Sequence, residues 1–556
     1  MNKKDQEIKQ IITLAYENHR KKNLDLAESL YKKVLKLDSN YFDVIFLLGT
    51  LFLQKQNFEE AIKLFNKGLI IKPNDASTNN NLGHAYVQIG EAAQAKALFE
   101  KAIKIKPDHA DALYNLANVH KHFGELVKAE SYYKKALEIQ PNNAKIYNNL
   151  GNILKDLGKF DEAIECYNKA IKIQYNHSNA FHNLGHTYKQ LGKFDKAKPF
   201  FRKSLQYNPT NLETLLVLLE LENEIIDFNL VKKTKEVIKM KNLSEKDIAY
   251  GNYILAKYEF QQKNFEMELE HLLIGHSHYF NFKRKLFKRG VKYWLEEIPS
   301  NKELINLGQY ENRTKKNDSK ISPIFIVGVP RCGSTLIEKV IASGEKKISI
   351  GEETAIISSV VGEHIKNKKL LNEELENVKI KIVEKFKEKK LLKKNDNVFT
   401  DKSLDNFFFI GLIKEIFPDA KVINCKRSPI ASIVSVLKNN LGDVPWAHDL
   451  ENIFKFFDNY HQRIEYFKTK YPNFIYDVQL ENFVANPEKE SKKLMQFCNL
   501  PWSKDCLEFH KRKDITSRTA SNVQIRKGIY RESKDKHKPY KILLEKYVNK
   551  YNWFKH

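Results

Sequence analysis

Residues 328–335, Gly-Val-Pro-Arg-Cys-Gly-Ser-Thr, make a glycine-bounded loop carrying one arginine and two hydroxyls. An apolar run, Ile324 to Val329, leads into it, and an amphipathic stretch, Leu336 to Ser343, leads out. A strand, a glycine loop and a helix N-terminus in that order cradle an anion with backbone N–H groups. The spacing from Gly328 to Gly333 and Ser334-Thr335 matches a nucleotide triphosphate loop except at one position. Ser334 stands where that motif needs lysine, so a kinase or ATPase would lose its β/γ-phosphate contact. Arg331, inside the loop, supplies a compensating charge. A second anion site is suggested near Arg427, which follows Lys421-Val-Ile-Asn-Cys-Lys426, with Ser435 eight residues further on. An arginine at a strand end and a hydroxyl on the next helix would hold one phosphate between them.

Placing these groups together requires buried parallel strands, which read as short continuous apolar runs. Residues 324–329 have that character, Lys421–Lys426 reads as a second buried strand, and a third strand is expected to end at Val398-Phe-Thr400, just before Asp401-Lys402. Ser428-Pro429 supplies an N-cap and an N1 proline for the helix carrying Ser435. In Gly351-Glu-Glu-Thr354, the acidic pair Glu352 and Glu353 reads as favourable charge in the first turn of a helix. Upstream, residues 296–322 contain Pro299, Asn301, Gly308 and the polar run ENRTKKNDSK, and are expected to be an exposed linker or surface loop.

The first 211 residues repeat with a period of 34. Small residues recur at Ala15, Gly49, Gly83, Ala117, Gly151 and Gly185, and again at Ala27, Ala61, Ala95, Ala129, Ala163 and Ala197. Prolines mark the repeat ends at Pro73, Pro107, Pro141 and Pro209, with Tyr175 in the remaining place. Paired helices approach closely only where side chains are small, and proline breaks the chain after the second helix. These series resemble the tetratricopeptide repeat over residues 8–211. A degenerate copy is expected at 212–245, and a capping helical pair from Tyr250 to about Tyr279. The resemblance implies a groove lined by the first helix of each pair. That helix carries Asn81 and His84, Asn115 and Asn118, Asn149 and Asn152, and Asn183 and His186, each pair on one helix face. The ladder resembles that of the O-linked N-acetylglucosamine transferases, whose amides suit an extended peptide backbone.

Composition sets the remaining bounds. The chain has 556 residues, 42% hydrophobic and 29% charged, a globular profile. Its 94 basic and 69 acidic side chains leave a net charge of +25, which suits an anionic partner. Nucleic acid is not expected, because no recognised binding motif accompanies the charge. The five cysteines, at 166, 332, 425, 498 and 506, lack metal-ligand spacing, so neither a disulfide framework nor a metal site is expected. The opening MNKKDQEIKQ has no apolar targeting core, and the most apolar stretch, Phe42 to Leu53, falls short of the ~20 residues that span a bilayer. A cytoplasmic location without a membrane partner is the expectation. Oligomeric state is not legible.

Pro330-Arg331-Cys332-Gly333-Ser334-Thr335-Leu336 resembles the 5′-phosphosulfate loop of sulfotransferases, and Arg427 with Ser435 resembles their 3′-phosphate pair. The resemblance covers about 323–540 and is closest to tyrosylprotein sulfotransferases and to bacterial sulfotransferases carrying tetratricopeptide repeats. It implies the donor 3′-phosphoadenosine-5′-phosphosulfate and no metal. It also implies that Glu353 is the catalytic base, that Lys402 neutralises the oxygen between sulfate and nucleotide, and that Ser521 and Lys536 belong to a C-terminal donor loop. Three positions depart from the tyrosylprotein pattern: Leu480 replaces a tyrosine, Asn439 replaces an arginine with Lys438 adjacent, and Ala355 replaces an arginine tied to acidic peptides.

The expected architecture is therefore multidomain. A tetratricopeptide superhelix occupies 1–295, with clear repeats at 8–211 and degenerate repeats and a cap at 212–295. A linker at 296–322 joins it to a P-loop-like α/β sulfotransferase domain at 323–556, built on a parallel sheet. The expected reaction moves a sulfuryl group to an acceptor hydroxyl, foremost a protein or peptide tyrosine presented by the groove. A saccharide or small-molecule acceptor and an inactive repeat scaffold are the alternatives.

Overall fold

The structure, a computed structural model, describes residues 3–222, 224–302, 304, 321–366, 375–392, 397–512, 529, 537–548 and 550–554. The chain divides into two compact units, residues 1–189 with 194–209 and residues 190–193 with 210–556.

In the first unit twelve helices follow one another in pairs, from Lys3–Arg20 and Leu24–Leu37 to Ser178–Gln190 and Phe194–Tyr207. The small-residue series explains how each pair closes. A Cβ added at Gly49, Gly83, Gly151 or Gly185 would lie 2.7, 2.7, 2.6 or 2.9 Å from the ring of Phe65, Phe99, Tyr167 or Phe201. Each ring comes sixteen residues later, from the second helix, and is fully buried. Tyr31 and Tyr133 hold the same place in the copies that carry Ala15 and Ala117. A series of aromatic residues thus shares the period of 34 and fills the space the small residues leave.

The second unit opens with four helices, Leu212–Glu222, Phe228–Ile238, Glu245–Gln261 and Phe265–Phe282. Its sheet follows, with strands β1 (Ile324–Gly328), β2 (Ser349–Ile350), β3 (Phe399–Asp401), β4 (Lys421–Lys426) and β5 (Ile475–Gln479). They lie in the order β2-β3-β1-β4-β5, and every pairing is parallel. β1 is central and wholly buried, as its five apolar residues require. From β1 the chain runs to β2 and β3 on one side, then crosses to β4 and β5 on the other. The direction reverses between β1 and β4, and such a reversal opens a ligand crevice beyond the strands' C-terminal ends.

Helices and sheet of this unit share one apolar core: Tyr253, Leu272, Tyr279 and Phe287 pack in the same cluster as Phe325, Phe407 and Phe454. Ile298 and Leu304 join it, and the Pro299 carbonyl accepts from Arg463 Nη2 at 2.6 Å. Polar contacts fix the helix Phe265–Phe282 in place. His276 Nε2–H donates to the Leu437 carbonyl at 2.8 Å, while its Nδ1 lies 3.0 Å from His448 Nδ1. Lys283 Nζ donates to the Gly442 carbonyl at 2.6 Å and to Asp443 Oδ1 at 2.9 Å. Among the described residues, no helix is long and apolar enough to cross a membrane.

Two outcomes follow from this packing. Gly151→Val forces a branched side chain against Tyr167, and overpacking of this kind costs about 1–3 kcal/mol, read as a lower unfolding midpoint in urea; an unchanged midpoint would contradict the close approach. The histidine pair gives a pH dependence. Burial holds His276 down to about 4 and His448 to about 3, the latter lowered further by His276 and Lys283. Unfolded, both titrate near 6.5. Between those values the unfolded chain binds protons that the folded chain refuses, so the stabilisation is complete above about pH 6.5 and is lost as pH falls. Unfolding of the second unit followed from pH 7 to 5 therefore shows declining stability, with a shallower decline in His448→Gln; parallel declines would contradict the assignment.

Candidate active site

The loop after β1 is shaped by its glycines. Gly328 has φ +154°, and a Cβ there would lie 2.8 Å from both Cys332 Sγ and the Cys425 carbonyl oxygen of β4. Gly333, at φ +92°, caps the helix Ser334–Ala342, and a Cβ there would meet Leu480 at 2.6 Å. Leu480, one of the three departures named above, thus lies against the loop after β1. The helix starts two residues earlier than the periodicity suggests, so Ser334 and Thr335 occupy its first turn, whose N–H groups have no intrahelical acceptor. Arg331 adopts a left-handed φ of 71° between Pro330 and Cys332. The site thus spends strain on placing this side chain.

Three groups named from sequence meet here. Arg331 Nε donates to Ser435 Oγ at 3.0 Å, and Arg427 Nη1 donates to the Arg331 carbonyl at 3.0 Å. Arg427 follows β4, and Ser435 lies on the helix Pro429–Lys438. Loop and helix therefore converge at the β1/β4 reversal. Ser428 does not cap that helix through its side chain; its N–H donates to Glu481 Oε1 at 2.9 Å instead. Asn439 closes the helix end, its Nδ2 donating to the Ser435 carbonyl at 2.7 Å. The adjacent Lys438 pairs with Glu268 at 2.7 Å.

Beside this cluster, β3 delivers Lys402. Its side chain is 1% exposed, yet Nζ donates to Glu353 Oε1 at 2.8 Å, and Glu353 is 58% exposed. The pair therefore runs from the interior to an accessible surface. Burial acts against the ammonium, but Glu353 above all, then Glu338 and Glu352, raise Lys402 above the usual lysine value. The segment Gly351–Thr354 is a strained turn rather than the first turn of a helix, with Glu352 at φ 53° and Ala355 at φ 50°. The following helix begins at Ile356. Gly351 is required because a Cβ would come within 2.2 Å of the Thr400 carbonyl oxygen. The turn is pinned by Thr354 Oγ1 donating to Asp401 Oδ2 at 2.7 Å and by the Ala355 N–H donating to Ser403 Oγ at 2.9 Å.

Glu338 escaped the sequence reading. Fully buried on the helix Ser334–Ala342, it accepts from Thr400 Oγ1 at 2.9 Å and from the Glu352 N–H at 3.0 Å. Burial raises its carboxyl above the usual range, against the pull of Lys402 and Lys339. A charged residue among Ile337, Val340 and Ile341 was the available signal. Ser521 and Lys536 lie outside the described residues.

The asparagines of the first unit form connected amide chains. Asn115 donates to Asn80 at 2.9 Å, Asn80 to Asn81 at 3.2 Å, and Asn81 to Thr50 at 3.4 Å. Asn183 donates to Asn148 at 2.9 Å, Asn148 to Asn149 at 3.3 Å, and Asn149 to the Tyr114 hydroxyl at 2.9 Å. Asn118 and Asn152 accept from Tyr133 at 2.6 Å and Tyr167 at 2.8 Å. The ladder therefore also has a packing role, linking successive repeats and satisfying buried tyrosine hydroxyls.

Residues 323–504 match the sulfotransferase family, and residues 74–142, 142–208 and 49–90 match tetratricopeptide repeats. The chain thus carries tetratricopeptide repeats followed by a sulfotransferase-family domain. An uncharacterised protein of Aquifex aeolicus (strain VF5) is 29% identical over 322 residues, 54% of this chain and 40% of that protein. The chain thus spans well under half the length of that curated relative. Among solved structures, YrrB, described as a TPR protein with an unusual peptide-binding site, is 23% identical over 33% of this chain and 95% of its own, with a TM-score of 0.29. MamA is 29% identical over 29% of this chain and 94% of its own, with a TM-score of 0.27.

The Lys402 environment predicts its own titration. In Glu353→Gln the strongest influence holding the ammonium charged is lost while burial remains, so Lys402 deprotonates at lower pH than in the wild type. Side-chain nitrogen NMR reads this directly. An unchanged titration would remove Glu353 as its principal partner.

Proposed function

We propose that the protein transfers a sulfuryl group from 3′-phosphoadenosine-5′-phosphosulfate to an acceptor hydroxyl. The observation that carries this reading is the convergence of Arg331, Arg427 and Ser435 at the β1/β4 reversal, with the Lys402–Glu353 pair at the end of the neighbouring strand. Two glycine positions that a side chain would fill and two guanidinium groups suit a ligand with phosphate at both ends. In this reading the loop 330–336 and Arg331 hold the 5′ end, and Arg427 with Ser435 holds the 3′-phosphate.

Sulfuryl transfer resembles phosphoryl transfer in depending on positioning and charge stabilisation. The acceptor oxygen attacks sulfur, its proton passes to Glu353, and the bond from sulfur to the 5′-phosphate oxygen breaks. Adenosine 3′,5′-bisphosphate leaves, with Lys402 stabilising charge on the departing oxygen. The exposed carboxylate and buried ammonium suit this division of labour: the base faces the incoming acceptor, and the cation sits at the enclosed end.

The acceptor we favour is a protein or peptide tyrosine, with the repeats as its docking surface. An asparagine side chain has two donors and two acceptor sites, so the internal bonds of Asn115 or Asn149 leave capacity for a peptide backbone. A tyrosine phenol, with a pKa of about 10, also asks less of a carboxylate base than a sugar hydroxyl does. Ala355 supports a second reading, a saccharide or small-molecule acceptor, because its N–H serves the turn and no guanidinium stands there to meet acidic peptide. A cytoplasmic site of action belongs to the proposal, and the free state of all five cysteines suits a reducing compartment.

Incubation with sulfur-labelled donor and host lysate, followed by mass spectrometry of the products, tests the reaction and separates the acceptors. Glu353→Gln and Lys402→Met each lower turnover by roughly 10²-fold or more, whereas Arg427→Ala weakens donor binding by about 1.5–3 kcal/mol. Wild-type turnover in Glu353→Gln would remove it as the base.

A further inference from the structure

Glu268 lies on the helix Phe265–Phe282 and is 2% exposed. One of its carboxylate oxygens is 2.7 Å from Lys438 Nζ, and the other accepts from the Tyr540 hydroxyl. Lys438 is the last residue of the helix that carries Ser435, three positions further on. Tyr540, itself 1% exposed, lies four residues beyond Lys536. The Lys438 ammonium also lies over the Phe260 ring at 3.8 Å and the Tyr540 ring at 4.9 Å. One buried carboxylate thus joins a repeat-like helix to two segments that are more than a hundred residues apart.

We propose that Glu268 is a positioning residue for the nucleotide end of the donor, holding the end of the Ser435 helix and the segment after Lys536 in one arrangement. The inference rests on the donor reading given above. The carboxylate of this pair is buried while the Lys438 side chain is 24% exposed, and removing the carboxylate charge leaves a partly desolvated ammonium without its counter-charge. Without the Glu268 charge, Lys438 must move toward water, and the helix end carries Ser435 with it. The helix Phe265–Phe282 also grips Leu437 through His276, and the residue after it, Lys283, holds Gly442. The element that follows the repeats thus sets the geometry of the proposed 3′-phosphate site. Lys438 accordingly serves that site through Glu268 rather than by replacing the arginine missing at Asn439.

The test measures affinity for adenosine 3′,5′-bisphosphate by calorimetry, and donor KM and kcat in the transfer assay. Glu268→Gln weakens nucleotide binding and raises donor KM by roughly tenfold or more, with kcat within about threefold of wild type, the pattern of lost ground-state binding. Tyr540→Phe keeps the ring and removes one hydrogen bond, giving a smaller rise of about three- to tenfold. Lys438→Met matches Glu268→Gln, and the double variant is no worse than either single one because both break the same pair. Wild-type affinity in Glu268→Gln and Tyr540→Phe, or a fall in kcat at unchanged donor KM, would overturn the positioning role alone. A wild-type protein that binds no adenosine 3′,5′-bisphosphate would overturn the donor reading and this inference together.

Discussion

The parallel pairing of β1 with β3 on one side and β4 on the other is the constraint on which the site depends. Neighbouring strands lie about 4.8 Å apart. Parallel pairing sets Cys425 of β4 against Gly328 at the end of β1, and Asp401 at the end of β3 against Phe325, three residues earlier on β1. Gly328, Lys402 and Arg427 stand at or just beyond the ends of these strands. Each belongs to a different stretch of sequence, and the sheet sets those stretches side by side. The reversal of chain direction between β1 and β4 falls where Arg331 meets Ser435, the place in such sheets where ligands bind.

That arrangement is held against real costs. Lys402 is buried at a price of several kcal/mol for an isolated ion, and the surrounding carboxylates Glu353, Glu338 and Glu352 offset it. Arg331, Glu352 and Ala355 all adopt left-handed backbone conformations, which cost about 1–3 kcal/mol each in non-glycine residues. The bonds to Glu338, Asp401 and Ser403 hold the turn carrying Glu352 and Ala355 in place. Buried charge and strained turns meet beside β3, whereas the central strand β1 is wholly apolar.

Much of this was legible in the residues. Three in-phase series announced the repeats, since a close helix crossing demands a small residue and a break favours proline, although Tyr175 takes one of the proline places. The strand at 324–328 could be read from its continuous apolar run and the strand at 421–426 from Val422-Ile423 and Cys425, and the sharp loop between β1 and its helix from its glycines. What escaped has a physical reason in each case. A fourth series, Tyr31, Phe65, Phe99, Tyr133, Tyr167 and Phe201, has no signal of its own in the sequence, because buried aromatics suit any helix core; its meaning lies in the rings that Phe65, Phe99, Tyr167 and Phe201 set against the glycines. Glu352 and Glu353 resembled a helix start because local charge preference cannot reveal a turn fixed by Thr400 and Ser403 across the sheet. The pairing of Lys438 with Glu268 joins positions 170 residues apart, which no local pattern encodes.

In the proposed function, the loop after β1 and the Arg427–Ser435 pair hold the two ends of one nucleotide. A crystal structure of the protein with adenosine 3′,5′-bisphosphate tests it most directly. The account predicts the 5′-phosphate on the loop 330–335 and the 3′-phosphate between Arg427 and Ser435. Nucleotide bound elsewhere, or a 3′-phosphate that touches neither Arg427 nor Ser435, would contradict it.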